Sequence, residues 1–303
     1  MLKINDKFWI RSVLPSVQLE GTPFLQQKII NFGGASSFES ALVIMLLGAA
    51  DLLDQDGEVI FACRENLGVL GAPSVAKVTK VKLRSSLVAN GIDHKLLDKY
   101  LQRSQSQQSY YKEILLEISH YFWRKSLGQH TIAFLHLYRF LERISYVFPI
   151  TYALNTNDFR DTFDSFRGFL NGEKSGELKF FKNFVDASLD EEQLDSDVLI
   201  DLNQLLESHA QVACLLIKRN VSAEDIIGEP GVAGVTVRCR SLVTLLINLR
   251  NRFFHATSGH SANITMDQLY DPDQFFMPLN SVLANWLAII YFRTLAAKSE
   301  RYS

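Results

Sequence analysis

Glycine and proline are scarce in this chain, 16 and 7 among 303 residues, and long stretches contain neither. A sandwich or barrel built from many tight turns is thereby disfavoured, and long helices are favoured. Cysteine is scarcer still. Cys63, Cys214 and Cys239 are scattered and odd in number, fit no disulfide framework and no metal-ligand spacing, and point to a reducing cytoplasm. Neither sign of charge is in excess: 31 basic side chains face 33 acidic ones, for a net charge of −2. A protein that holds nucleic acid through bulk electrostatics is usually basic, so any such contact here must be local.

Long apolar runs are also few. Residues 41–50 are apolar but too short to cross a bilayer before Asp51. Residues 275–292 carry no charge, yet Pro278, Asn280, Ser281 and Asn285 suit a buried helix better than lipid. The N-terminus is interrupted by Asp6, Lys7 and Arg11 and has no apolar core of signal-peptide length. No membrane span is expected. What the chain does have is 47% hydrophobic and 21% charged residues, the balance of a globular protein able to bury a sizeable core.

The first hundred residues differ in texture from the rest. They hold Gly33-Gly34 and the turn signals Asp56-Gly57 and Asn90-Gly91. Residues 58–63 and 75–83 read as short strands, and Ser37 as the start of a helix reaching about Leu53. Residues 1–104 are therefore expected to form a small mixed α/β domain, followed by a polar link at 104–109.

Residues 105–303 read as helical. Ile132, Leu135, Leu137, Leu141, Ile144 and Phe148 recur at three- and four-residue steps, closed by Pro149. A second helix is expected after Asp190, with Val198, Leu202, Leu205, His209, Val212 and Leu216 on one stripe. A third starts near Val237 and carries Leu242, Leu245, Leu249 and Phe253. A fourth, about residues 277–298, turns Leu279, Leu283, Trp286, Leu287 and Ile290 inward. The expected fold class is mainly α: an antiparallel four-helix bundle with a helical insertion near 158–186.

The chemistry-bearing segment is Leu246-Ile-Asn-Leu-Arg-Asn-Arg-Phe-Phe-His-Ala-Thr-Ser-Gly259, in which Arg250, Asn251 and His255 read Arg-Asn-x-x-x-His. It lies at the C-terminal end of the third helix, with Gly259 as its stop. Asn251 and His255, four apart, share a helical face, so the amide can orient the imidazole. Arg250 and His255, five apart, are separated by roughly 140° on a continuous α-helix, a poor arrangement for one phosphate in one chain. A near-neutral imidazole can move a proton at a ribose 2′-hydroxyl or a 5′-oxygen, and a guanidinium can hold the phosphate. The alternative is that Arg250 and Asn251 cap a helix end and His255 is a surface residue favoured by the helix dipole.

With these residues the segment resembles the motif of the HEPN superfamily: arginine, a polar residue that is often asparagine, then histidine. The resemblance covers about residues 128–299 and none of the first 104. It implies a four-helix bundle and a metal-independent endoribonuclease that leaves 2′,3′-cyclic phosphate and 5′-hydroxyl ends, with Arg250, Asn251 and His255 catalytic. It also implies a homodimer in which the histidine of one chain meets the arginine of the other, no cofactor, and a toxin or anti-phage role. The alternative is a HEPN-like bundle without catalysis, serving as an interaction or scaffold module.

Supporting residues are weaker. Glu142 lies one turn beyond Tyr138, and some HEPN proteins use an acidic residue on this helix to hold the motif arginine; a solvated carboxylate beside Arg143 is the other reading. Arg252 could help grip the phosphate backbone, and His260 could be a second proton carrier. His209 reads as a core histidine. Lys77, Lys80, Lys82 and Arg84 alternate along the possible strand, as an RNA contact or a solvated face. Residues 1–104 are expected to sense, regulate or bind a partner protein.

Overall fold

The computed structural model describes residues 1–13, 37–69, 74–75, 80–93, 96–97, 100–101, 107–147, 158, 160, 163–164, 176–254 and 263–300. The chain forms two compact units. One comprises residues 1–143 with 287–303, the other residues 144–286. The units divide at 143/144 and 286/287.

In the first unit, β1 (Leu2–Lys3), β2 (Trp9–Ser12), β3 (Ala50–Leu53) and β4 (Val59–Cys63) make an antiparallel sheet in that order. Helix α1 (Phe38–Leu46) begins where the sequence places it, with the Ser37 side chain accepting from the Ser40 amide at 3.0 Å. It is buried from Glu39 to Leu46, so it needs no solvent-facing polar side. The expected extension to Leu53 is not made. Gly48 turns the chain at φ +73°, and residues 50–53 become the fully buried central strand β3. Here the apolar run is a helix followed by a strand, and only the left-handed glycine separates them.

The carboxylate of Asp51 on β3 is buried, and Arg11 and Arg64 both pair with it, at 2.9 and 2.6 Å. The β3–β4 turn is set by the Asp54 carboxylate, which accepts from the amides of Asp56 and Glu58, and by Gly57 at φ +84°. A two-residue pairing joins β5 (Glu65–Asn66) to β6 (Ser74–Val75).

Residues 80–89 are helix α2 (Lys80–Ala89) rather than the continuation of a strand. The alternation of Lys80, Lys82 and Arg84 therefore defines no strand face, and Lys77 lies outside the described residues. Helix α3 (Gln108–Ser126) packs on α1 and β4, and Gly128 at φ +72° turns it into α4 (His130–Ser145). The buried face of α4 is Ala133, Phe134, Leu137, Tyr138, Phe140, Leu141 and Ile144. Ile132, expected on that stripe, is exposed, and Tyr138 is core.

The second unit holds α5 (Gly176–Ser188), the short capped turn α6 (Glu191–Leu194), β7 (Asp197–Asp201) and α7 (Glu207–Asn220). Then come β8 (Ile226–Gly231), β9 (Gly234–Arg238) and α8 (Leu242–Leu249). The strands form an antiparallel sheet ordered β7-β9-β8. Two expectations are corrected here. The stripe from Val198 to Leu216 is not one helix: 197–201 is a strand with Val198 and Ile200 inward. The third helix begins at Leu242, after β9 has used Val237 as a strand residue. His209 is half-exposed and stacks on Tyr270 at 5.1 Å, so it is not a core histidine.

Helix α9 (Pro272–Glu300) is contributed to both units, and Leu279, Leu283, Trp286, Leu287 and Ile290 are fully buried, as expected. It is long and apolar enough to cross a membrane, but 78% of its most apolar window is buried in the protein, as in a core helix. The chain is mainly helical with small antiparallel sheets.

Candidate functional site

The motif arginine does not sit on a continuous α-helix. Helix α8 ends at Leu249, and residues Arg250–Phe254 wind as a π-turn. A π-turn takes roughly 4.4 residues, so positions five apart are roughly 50° apart instead of the roughly 140° of an α-helix. The expected continuous α-helix is therefore not kept over Arg250–Phe254. The turn is held from outside, since the Arg252 carbonyl accepts from the Ile264 amide at 2.9 Å. Phe253 and Phe254 anchor it on Phe276, with ring centroids 5.3 and 5.9 Å away.

Arg250 is half-buried and donates from Nη1 to Oδ1 of exposed Asn251 at 2.8 Å. Asn251 thus engages the arginine beside it. Arg252 donates to the carbonyl of Arg219 at 3.0 Å, and Asn248 Nδ2 to the carbonyl of Asn220 at 3.1 Å. Both partners are carbonyls at the C-terminal end of α7, which lack helical donors. Arg252 and Asn248 therefore cap α7, with the guanidinium at its negative end. Sequence reasoning missed Asn248 altogether, because its partner is 28 residues away. Asn220 itself is buried, donates to the Leu216 carbonyl at 2.7 Å, and leaves its Oδ1 without a donor among the described residues.

His255 and His260 lie outside the described residues, as does Gly259. Glu142 is half-buried on α4 in the first unit, whereas Arg250 belongs to the second. Among the described residues no group of three histidine, cysteine or acidic side chains is placed to hold a metal.

Two clusters in the first unit escaped the sequence reading. On the α3–α4 hairpin, His136 Nδ1 lies 2.8 Å from the Glu117 carboxylate, and the His120 ring stacks on His136 at 5.0 Å and 12°. Phe8 and Trp123 flank His120 at 4.8 and 5.8 Å, and Arg124 lies over the Trp123 ring. Burial, then the charge of His136, hold the His120 imidazole down to a pKa of about 4. The spacing of Glu117, His120, Trp123 and Arg124 was the available signal, since steps of three and four share a helix face.

The other cluster is buried. The Glu39 carboxylate accepts from Tyr100 at 2.8 Å, the Tyr100 and Tyr111 hydroxyls are 2.6 Å apart, and Lys298 reaches Tyr111 at 3.2 Å. Burial, followed by the charge of Glu39, pushes the Tyr100, Tyr111 and Tyr291 hydroxyls well above the ordinary phenol range. These phenols stay protonated and serve as donors, Tyr100 to Oε1 of a carboxylate that burial alone would penalise. Comparison of the chain with models of known families, with curated proteins and with solved structures found no match.

Proposed function

We propose that the chain is a cytoplasmic, metal-independent endoribonuclease of HEPN type, cutting RNA at a site built on Arg250, Asn251 and His255. The observation that carries this reading is the π-turn over Arg250–Phe254, which coincides with the Arg-Asn-x-x-x-His motif. Such turns cost hydrogen-bond geometry and are frequent at functional sites. The imidazole takes the 2′-hydroxyl proton or gives one to the leaving 5′-oxygen, and the guanidinium stabilises the charge growing on the phosphate. The oxygen that attacks is the ribose's own, so the products are a 2′,3′-cyclic phosphate and a 5′-hydroxyl, and DNA is inert. Arg252 adds a cation beside the site, and Glu142 and His260 are supporting candidates.

The four-helix HEPN bundle, the homodimer and a toxin or anti-phage role belong to the same proposal and rest on the resemblance. Residues 1–104 remain the proposed contact for a regulatory partner.

The test is incubation of purified protein with total RNA, with and without EDTA, followed by end-group analysis. EDTA-resistant cleavage with cyclic phosphate ends, lost in His255→Ala, is the expected result; intact RNA at high enzyme concentration refutes the reading. One observation favours a second reading, a non-catalytic interaction module. Asn251 is engaged by Arg250 and Arg252 caps α7, so two polar side chains of the motif region already have structural partners.

A further inference from the structure

The end of α7 and the π-turn are tied to each other by two hydrogen bonds, Arg252 to the Arg219 carbonyl and Asn248 to the Asn220 carbonyl. This seam gathers four cations from two segments far apart in sequence. Lys218 and Arg219 are exposed in the last turn of α7, and Arg250 and Arg252 are half-exposed in the π-turn. We propose that these four side chains form one platform that binds the phosphate backbone of single-stranded RNA beside the motif. The proposal rests on the RNA-cleaving reading of that motif.

Several basic side chains elsewhere are neutralised locally. Arg11 and Arg64 share Asp51, Lys125 pairs with Glu65, and Arg143 with Glu113. Arg238 pairs with Asp197, and Arg240 with both Glu191 and Asp195. Lys218, Arg219 and Arg252 have no carboxylate partner among the described residues.

A protein of net charge −2 repels a polyanion as a whole, so it can hold one only where cations are locally concentrated. The bonds at the seam use one guanidinium N–H of Arg252 and the backbone of Arg219. They leave the Arg219 guanidinium, the Lys218 ammonium and the remaining Arg252 donors available. A guanidinium offers a fork of donors matching two phosphate oxygens, and the lysine adds a point charge. Because the contacts reach phosphate and not base edges, the platform positions a strand without reading its sequence.

The test uses the full chain carrying His255→Ala, which stops cleavage, and a short fluorescein-labelled oligouridylate followed by anisotropy between about 50 and 200 mM salt. Adding Lys218→Ala and Arg219→Ala is expected to weaken binding about tenfold at the lower salt. The slope of log affinity against log salt should shrink by about 1.4, the loss of two phosphate contacts. The charge-preserving pair Lys218→Arg and Arg219→Lys should restore the slope, which a purely structural role would not require. An unchanged slope in a protein that binds RNA overturns the platform and leaves the nuclease reading standing. A reduced slope together with intact RNA in the wild-type cleavage assay supports the platform and overturns the nuclease reading. Absence of binding at low salt overturns the platform, and the wild-type cleavage assay then judges the nuclease reading by itself.

Discussion

Acidification should destabilise the first unit through His120. The imidazole is half-buried between Phe8, Trp123 and the face of His136, and its pKa falls from the ordinary 6.5 to about 4. Burial is the largest cause and the charge of His136 the next; Arg124 and Lys7 add to it, and Glu117 opposes it. For a base held neutral in the fold, the sign is fixed. Above pH 6.5 neither state binds the proton and the fold loses nothing. As pH falls from 6.5 towards 4 the unfolded chain gains a proton that the folded one refuses, and stability drops.

Integrating that difference between about pH 7 and pH 5 gives about 2 kcal/mol. Solvent reaches a half-buried ring and screens the charges around it, so about 1 kcal/mol is the expected loss. Other groups titrate in the same window, so the measurement is a difference between proteins. Urea unfolding at both pH values is compared for the wild type and His120→Phe, which keeps the stacking surface and removes the proton site. The variant should lose about 1 kcal/mol less on acidification. A histidine NMR titration reads the same quantity directly. An ordinary midpoint near 6.5 for His120, or an identical acid loss in His120→Phe, refutes the reasoning.

Gly48→Ala should destabilise the first unit by about 2–4 kcal/mol in urea unfolding. It forces alanine into a left-handed turn and sets its Cβ 2.6 Å from the Glu65 carbonyl oxygen. Gly57→Ala, left-handed too but with nothing within 4 Å, should cost only about 1–2 kcal/mol, and equal losses would show that the close approach is unimportant. Cys63 and Cys239 should resist iodoacetamide in the native protein and react on unfolding. Both thiols are buried, and burial pushes Cys239 up to about 11 and Cys63 further; rapid native alkylation in a mass-spectrometric time course would contradict this. If the chain is an unrestrained toxin, expression of the wild type should slow bacterial growth and Arg250→Ala should not. Equal growth curves favour the interaction-module reading.

The parts of the fold legible in the sequence are those where local chemistry and tertiary burial agree. Ser37 starts a helix because a serine oxygen satisfies a free amide whatever lies around it. Residues of α9 at steps of three and four are buried because a helix that long has to put its apolar stripe somewhere. The failures lie where one pattern fits two periods. Val198, Ile200 and Leu202 alternate as a strand requires, but Leu199 between them is apolar too, and 57% exposed, so the run mimicked a helical stripe. On α4 the steps through Ile132 and Leu135 were a legitimate stripe about one position out of phase with the face that Phe134 and Tyr138 occupy. The bulkier aromatics decided the rotation.

The motif segment shows the limit more sharply. The residues that suggest chemistry, Arg250, Asn251 and Arg252, were legible as a string, but the winding that carries them was not. A π-turn is not a local preference of Arg-Asn-Arg-Phe-Phe. It is imposed by the Ile264 amide on the Arg252 carbonyl and by Phe276 under the two phenylalanines, all remote in sequence. The same remoteness hid the capping of α7 by Asn248 and Arg252. Two arginines separated by one residue consequently do different work. Arg252 spends part of its donor set closing a helix end, while Arg250 is bonded to its neighbour Asn251. Substituting each in turn separates the roles. Arg252→Ala should loosen the seam and lower stability by about 1 kcal/mol. Arg250→Ala should remove RNA cleavage. If urea unfolding gives the two variants the same loss and cleavage survives in both, neither arginine is where the chemistry lies.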